Sequence, residues 1–208
     1  MNQDKVFSTL QHHIPASAVE YCFNLWLKYK FVFTLRKARI TKVGDFTFRS
    51  GQIPRITVNS DLHPYSFLIT YVHEVAHLEA HSIFGHRVEA HGEQWKKTFQ
   101  QLMSPVLSEE IFPVELLSVL RRHMANPKAS SFSDSELTAA LRKFDKSQSA
   151  VILLSQLPEG SVFGLNGRWF KKGKLKRTRV MCREVNTKRD YLVPLDAPVS
   201  GAQLSLAM

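Results

Sequence analysis

Apolar residues fall at helical spacing behind Pro15, at Val19, Cys22, Phe23, Trp26 and Leu27, and predict a helix over residues 15–30. Residues 31–49 are rich in Phe, Val, Thr and Ile, and a break at Gly44-Asp45 predicts strands around a turn. Ile56-Thr57-Val58 reads as a further short strand after Gly51 and Pro54. A long helix is expected from Pro64 to Phe84, stopping at Gly85, which suits a left-handed cap. Three more helices are expected: Glu93 to Met103, residues 113 to 124, and one opened by the capping-box spacing of Ser133-Asp134-Ser135-Glu136 and running to about Phe144. Beyond residue 148 the pattern becomes β. Val162–Leu165, Asn166-Gly167 and Arg168–Lys171 form a strong hairpin signal, because Asn-Gly tolerates the positive φ of a type I′ turn. Gly173 and residues 186–190 mark further turns, giving a small antiparallel sheet or half-barrel of about four strands.

The helix from Pro64 to Phe84 carries the chemistry. Leu68, Tyr71, Val72, Val75, Ala76 and Leu78 occupy most of its circumference, so it is expected to be buried. One polar stripe remains, holding His73, Glu74 and His77 as an H-E-x-x-H segment. Histidines at i and i+4 lie one above the other on a helix, and both imidazoles can reach the same Zn²⁺. Glu74 projects beside them, where a carboxylate can take a proton from water activated by the metal. Burying these groups without partners is costly, and ligation supplies partners. Glu79 falls on the apolar side and fits no part of this pattern.

A catalytic zinc needs a third protein ligand and one open position. His81, His86, Glu89, His91 and Glu93 are the candidates that follow, with His81 on the correct face but a further turn along, too far to share one ion. His91 is favoured, because the chain can leave the helix at Gly85, loop back and present it at the start of the next helix, with Gly92 allowing close backbone approach.

Charge and cysteine content sharpen the picture. The chain has 208 residues, a net charge of +10 and two cysteines, Cys22 and Cys182. That length suits one main domain with a small second module. Boundaries are expected at 1–147 and 148–208, across the soft stretch Lys146-Ser147-Gln148-Ser149. Two distant cysteines exclude a disulfide framework and make a reducing cytoplasmic compartment the expected location. No apolar run is long enough to span a membrane, and the first fifteen residues lack the pattern of a signal peptide. Residues 168–189 hold ten basic residues against one acid, so this window carries nearly all of the positive excess. Such a patch points to a polyanion, with nucleic acid ahead of a membrane surface. The contacting residues are expected to be Arg168, Lys171, Lys172, Lys174, Lys176, Arg177, Arg179 and Arg183. Arg36, Lys37 and Arg39, near the first expected sheet, would extend that surface.

His73-Glu74-x-x-His77 followed by His91-Gly92-x-x-Trp95 resembles the SprT-like metalloprotease family, as does the short strand Ile56-Thr57-Val58-Asn59 ahead of the helix. The resemblance covers roughly residues 10 to 145. It implies an α+β fold of minimal zincin type, helices packed on a small sheet, with one Zn²⁺ per chain held by His73, His77 and His91, and Glu74 as the base. It also implies an endopeptidase acting on proteins associated with or crosslinked to DNA. The C-terminal part departs from the family, where many members carry a zinc ribbon built on Cys-x-x-Cys pairs. Here only Cys182 is present, and the segment reads as a ribbon-like sheet without metal, held by Val162, Phe163, Trp169, Phe170, Val180, Tyr191 and Val193. A competing reading is a nucleic-acid-binding protein with a structural or inactive zinc site. A third is a metal hydrolase acting on bonds other than peptides. Glu74 favours the endopeptidase, because a purely structural site requires no base.

Overall fold

The computed structural model describes residues 2–39, 42–85, 87–128, 134–144 and 152–203. It is α+β and divides into two compact units, Met1–Lys146 and Ser147–Met208, each with its own apolar core.

The first unit begins with a helix absent from the sequence reading, α1 (Gln3–His13). Its Asn2 cap accepts the Asp4 N–H at 2.9 Å, and only Val6 and Leu10 are buried, so its apolar stripe is narrow. The expected helix over 15–30 is divided: Ala16–Ala18 form a 3₁₀ turn and α2 spans Val19–Tyr29. Lys30 ends α2 in the left-handed region, and the Trp26 indole donates to the Phe31 carbonyl at 2.9 Å, fixing the turn into the sheet.

Strands β1 (Val32–Arg36), β2 (Gly44–Thr47) and β3 (Arg55–Asn59) form a sheet in the order β1-β3-β2. This corrects the expected strand-turn-strand unit. Gly44-Asp45 opens β2 instead of turning the chain, and β1 and β2 both pair with β3, parallel and antiparallel respectively. Register places Phe33, Leu35, Phe46, Ile56 and Val58 on one face, packed into the core. Arg36, Asp45, Arg55, Thr57 and Asn59 fall on the other.

The core face packs on α3 (Pro64–Phe84), which has the expected bounds. Pro64 opens it with φ already set, and the His63 ring accepts the Tyr65 N–H. Phe67, Leu68, Tyr71, Val72, Val75 and Ala76 are wholly buried. Gly85 ends the helix at φ 75° and ψ −170°, a positive φ but not the left-handed helical cap. Glu79 has a partner after all: Lys28 of α2 reaches its carboxylate at 3.4 Å.

Helices α4 (Glu93–Met103), α5 (Val114–Ala125) and α6 (Ser135–Arg142) complete the unit. Asp134 caps α6 by accepting the Leu137 N–H; Ser133 lies outside the described residues. His123 is buried on α5 and bonds Asp134 at 2.9 Å.

The second unit is a six-stranded sheet, not four, ordered β4-β9-β5-β6-β7-β8. Its strands are β4 (Ile152–Leu153), β5 (Val162–Leu165), β6 (Arg168–Lys176), β7 (Arg179–Glu184), β8 (Asp190–Pro194) and β9 (Pro198–Gln203). Asn166 and Gly167 both take positive φ, as the type I′ turn requires. Gly173 is not a turn: it sits within β6 beside a register shift, and a Cβ there would lie 2.7 Å from the Met181 carbonyl oxygen. The core holds Leu154, Leu157, Phe163, Phe170, Val180, Cys182, Val193 and Val199. Trp169, expected inside, is 44% exposed, because β6 turns Phe170 inward and the residue before it outward.

Candidate metal centre and basic face

His73 and His77 stand one turn apart on α3, and His91 reaches them from the loop before α4. The three Nε2 atoms lie 3.0 to 3.2 Å from one another. Three hydrogen bonds are a poor account of such a triangle, since each nitrogen carries either one proton or one lone pair. All three nitrogens converge on one point. A tetrahedral zinc with bonds of about 2.0–2.1 Å sets its donors about 3.3 Å apart, so the residues present fit that ion. They are the one group of three potential ligands found among the described residues.

The loop makes this possible at a conformational cost. His91 sits at φ 64°, in the left-handed region, where a non-glycine residue carries about 1–2 kcal/mol of strain. Gly92 supplies space instead of positive φ: a Cβ there would lie 2.9 Å from that of Glu89. Trp95, wholly buried on α4, lays its ring against all three imidazoles, at 4.7, 5.1 and 4.6 Å between centroids. Its spacing after His91 was visible in the sequence, but its role as the wall of the cage was not.

The other ligand candidates are elsewhere. The His81 ring packs on Phe46 and Phe48, Glu93 pairs with Lys97, Glu89 is exposed, and His86 lies outside the described residues.

Burial sets the protonation states. Desolvation holds His73 well below its ordinary value and His77 at about 4, with neighbouring imidazoles adding to the effect; desolvation also lowers His91. Neutral imidazoles offer lone pairs to a cation. Glu74 is 7% exposed and is pushed up to about 8, first by desolvation and then by Asp45, against hydrogen bonding from the Phe46 backbone and the charges of Arg39 and Lys42. Strand β2 makes room for it. A Cβ on Gly44 would overlap the Glu74 carboxylate and lie 2.6 Å from Thr70 Cγ2. Sequence reading took Gly44 for a turn residue; only the pairing of β2 beside α3 reveals the steric need.

Tyr71 donates its hydroxyl to the Cys22 carbonyl at 3.0 Å inside the core. Tyr65 packs among His63, Phe112 and Phe144.

The basic residues of the second unit divide into two groups. Arg168 forms a two-pronged pair with Glu184 at 2.6 and 2.8 Å and lies over the Tyr191 ring. Arg168, with Thr187, holds Glu184 at about 2. Lys172 donates to the Leu154 and Leu157 carbonyls, and Arg183 pairs with Asp190 at 2.8 and 3.1 Å. These three serve the unit's own structure. Lys171, Lys174, Lys176, Arg177 and Arg179 are exposed and have no ion-pair partner among the described residues. Register puts Lys171 opposite Arg183, Lys176 opposite Arg179 and Met181 opposite Leu192. Directly paired residues share a face. The outward face therefore interleaves Lys171, Lys176 and Arg179 with the exposed Trp169 and Leu192.

Comparison with known proteins finds a short likeness. Over 27 residues, 13% of this chain, it is 63% identical to the Protein SprT of Pseudomonas putida (strain W619) and 59% identical to that of Pseudomonas entomophila (strain L48). The chain matches 16% of the length of these relatives. No protein-family model matches the chain, and no solved structure matches it. Among the described residues, no helix is long and apolar enough to cross a membrane, and both cysteines are free and buried.

Two outcomes follow from the site. One equivalent of zinc should bind per chain, and His91→Ala should weaken it by about two orders of magnitude or more, since a total of about 10–16 kcal/mol would be shared among only three imidazoles; elemental analysis after dialysis reads this directly. In the metal-free protein, Glu74 binds its proton more tightly when folded, so its stabilising contribution is complete below about 4.5 and is lost as pH rises through about 8. Denaturant midpoints of wild type relative to Glu74→Gln should therefore fall steadily across that window; parallel profiles would show the carboxyl is not perturbed.

Proposed function

We propose that this chain is a zinc-dependent endopeptidase of SprT-like type, whose first unit is a zincin-like catalytic domain and whose second unit holds nucleic acid. The observation that carries the proposal is the meeting of three Nε2 atoms within 3.2 Å beside a buried glutamate on the same helix. The 27-residue likeness to Protein SprT supports it. A zinc held by three imidazoles, with one position open, supplies Lewis acidity toward water and toward a peptide carbonyl.

The residues of this chain do the rest. His73, His77 and His91 are kept neutral by burial and bind the ion without first losing protons. Trp95 blocks sideways movement of the rings. Glu74 needs its charge to act as base, and burial alone withholds it at neutral pH; a cation held by the three imidazoles would favour the carboxylate. The ionised carboxylate takes the proton of the attacking water and passes it to the leaving amine nitrogen. Gly44 leaves the space in which that carboxylate sits.

Nucleic acid, with DNA the expected form, is held by the outward face of the second unit. Lys171, Lys176, Arg177 and Arg179 meet phosphates, with Lys174 beside them, and Trp169 offers a ring on which a base can stack. Arg168 and Lys172 contribute by holding the strands.

Glu74→Gln should retain zinc and fold while lowering cleavage of an unfolded or DNA-bound protein at least about 100-fold. An unchanged rate in that variant, with zinc retained, would leave a binding protein with an inactive metal site. Replacing Lys171, Lys176 and Arg179 together by Gln should weaken oligonucleotide binding and reduce the salt slope by about 0.7 for each single-strand phosphate no longer neutralised; a slope equal to wild type would remove this face from the interface.

A further inference from the structure

The face of the β1-β3-β2 sheet turned away from α3 holds a cleft of about 290 Å³ that neither the metal centre nor the basic β-unit uses. Its size is just under that of small-ligand pockets, which begin at about 300 Å³. Four arginines line it: Arg36 at the end of β1, Arg39 just beyond, Arg49 after β2, and Arg55 at the start of β3. Among the described residues none of the four has a carboxylate within ion-pair distance. The one acid in the cleft, Asp45, already has Lys42 at 2.6 Å and the Thr47 hydroxyl at 3.3 Å.

Two polar atoms at this cleft lack partners. Thr57 is 4% exposed, on the central strand, and its Oγ1 has no hydrogen bond. Arg39 donates from Nε to the Asn59 side chain at 2.8 Å, yet its buried Nη2 donates to nothing. Asn59 is itself held, donating to the Arg39 and Lys42 carbonyls. The guanidinium is thus anchored through Nε while the amino group of its buried Nη2 is unspent. A buried donor left unsatisfied is costly, and native proteins retain few of them. Four guanidinium charges, with the local acid already neutralised, call for an anion bearing more than one negative charge. Planar N–H donors and a hydroxyl suit the several oxygens of a phosphate group.

We propose that this cleft is a phosphate-binding site, with Arg36, Arg39, Arg49 and Arg55 pairing the oxyanion and Thr57 Oγ1 donating to one of its oxygens. The ligand is a phosphate monoester, a diphosphate or a nucleic-acid phosphodiester. The site is independent of the peptidase reading, since it shares none of its residues with the metal centre.

Inorganic pyrophosphate and a decamer of oligothymidylate, each titrated calorimetrically into the full chain at low salt, test this. One pyrophosphate per chain should bind. Thr57→Val, which preserves shape and removes only the hydroxyl, should weaken it about tenfold, and Thr57→Ser should retain it. Arg36→Gln combined with Arg55→Gln should weaken it further. Loss of oligothymidylate affinity in the same variants would identify the phosphate as part of a nucleic-acid backbone; loss of pyrophosphate alone would identify a small phosphate compound. Failure of wild type to take up pyrophosphate, or equal binding by wild type and the Val and double-Gln variants with folded spectra, would overturn the site.

Discussion

The first unit is organised around a desolvation problem. Helix α3 is buried on most sides, and its polar stripe is carried into the protein with it. Each large apolar side chain on the helix contributes about 1.5–3 kcal/mol on burial. Phe67, Leu68, Tyr71, Val72 and Val75 are wholly buried and oppose the cost of withdrawing the polar stripe from water. The imidazoles respond by staying neutral and the carboxyl by holding its proton. A divalent cation bound by the three imidazoles would convert the arrangement from a cost into a set of bonds.

That problem explains features distant in sequence. His91 accepts a left-handed backbone to bring a third nitrogen to the pair on α3. Gly92 and Gly44 each leave out a Cβ where one would collide, the first with Glu89 and the second with Glu74. Strand β2 therefore has two different faces along adjacent residues. Gly44 touches the proposed base, while Asp45 points to the arginine cleft on the reverse of the sheet. Pleating alone separates the two environments.

In the second unit, charge is partly structural. The Arg168–Glu184 pair and the Lys172 hydrogen bonds hold strands and the turn after β7 together, so total charge overstates what is available to a partner. The remaining bases gather with an exposed tryptophan because antiparallel register alternates faces, leaving Phe163, Phe170 and Val180 to fill the interior.

Much of this was legible in order of local signal strength. The limits of α3 could be read because Pro64, a continuous apolar run and Gly85 agree. The hairpin at Asn166-Gly167 could be read because few residues accept its backbone angles. Helix α1 was missed because only Val6 and Leu10 mark its buried side, and β2 was misplaced because a glycine needed for clearance resembles a glycine needed for a turn. Residue types at fixed spacing thus determined that two imidazoles and a carboxylate share one helix face. The tertiary structure alone decided that His91 meets them, that Lys28 answers Glu79, and that Thr57 is buried without a partner. Periodicity reports which way a side chain faces within its own element, whereas the loss of water and the choice of partner depend on chain segments whose approach no local pattern encodes.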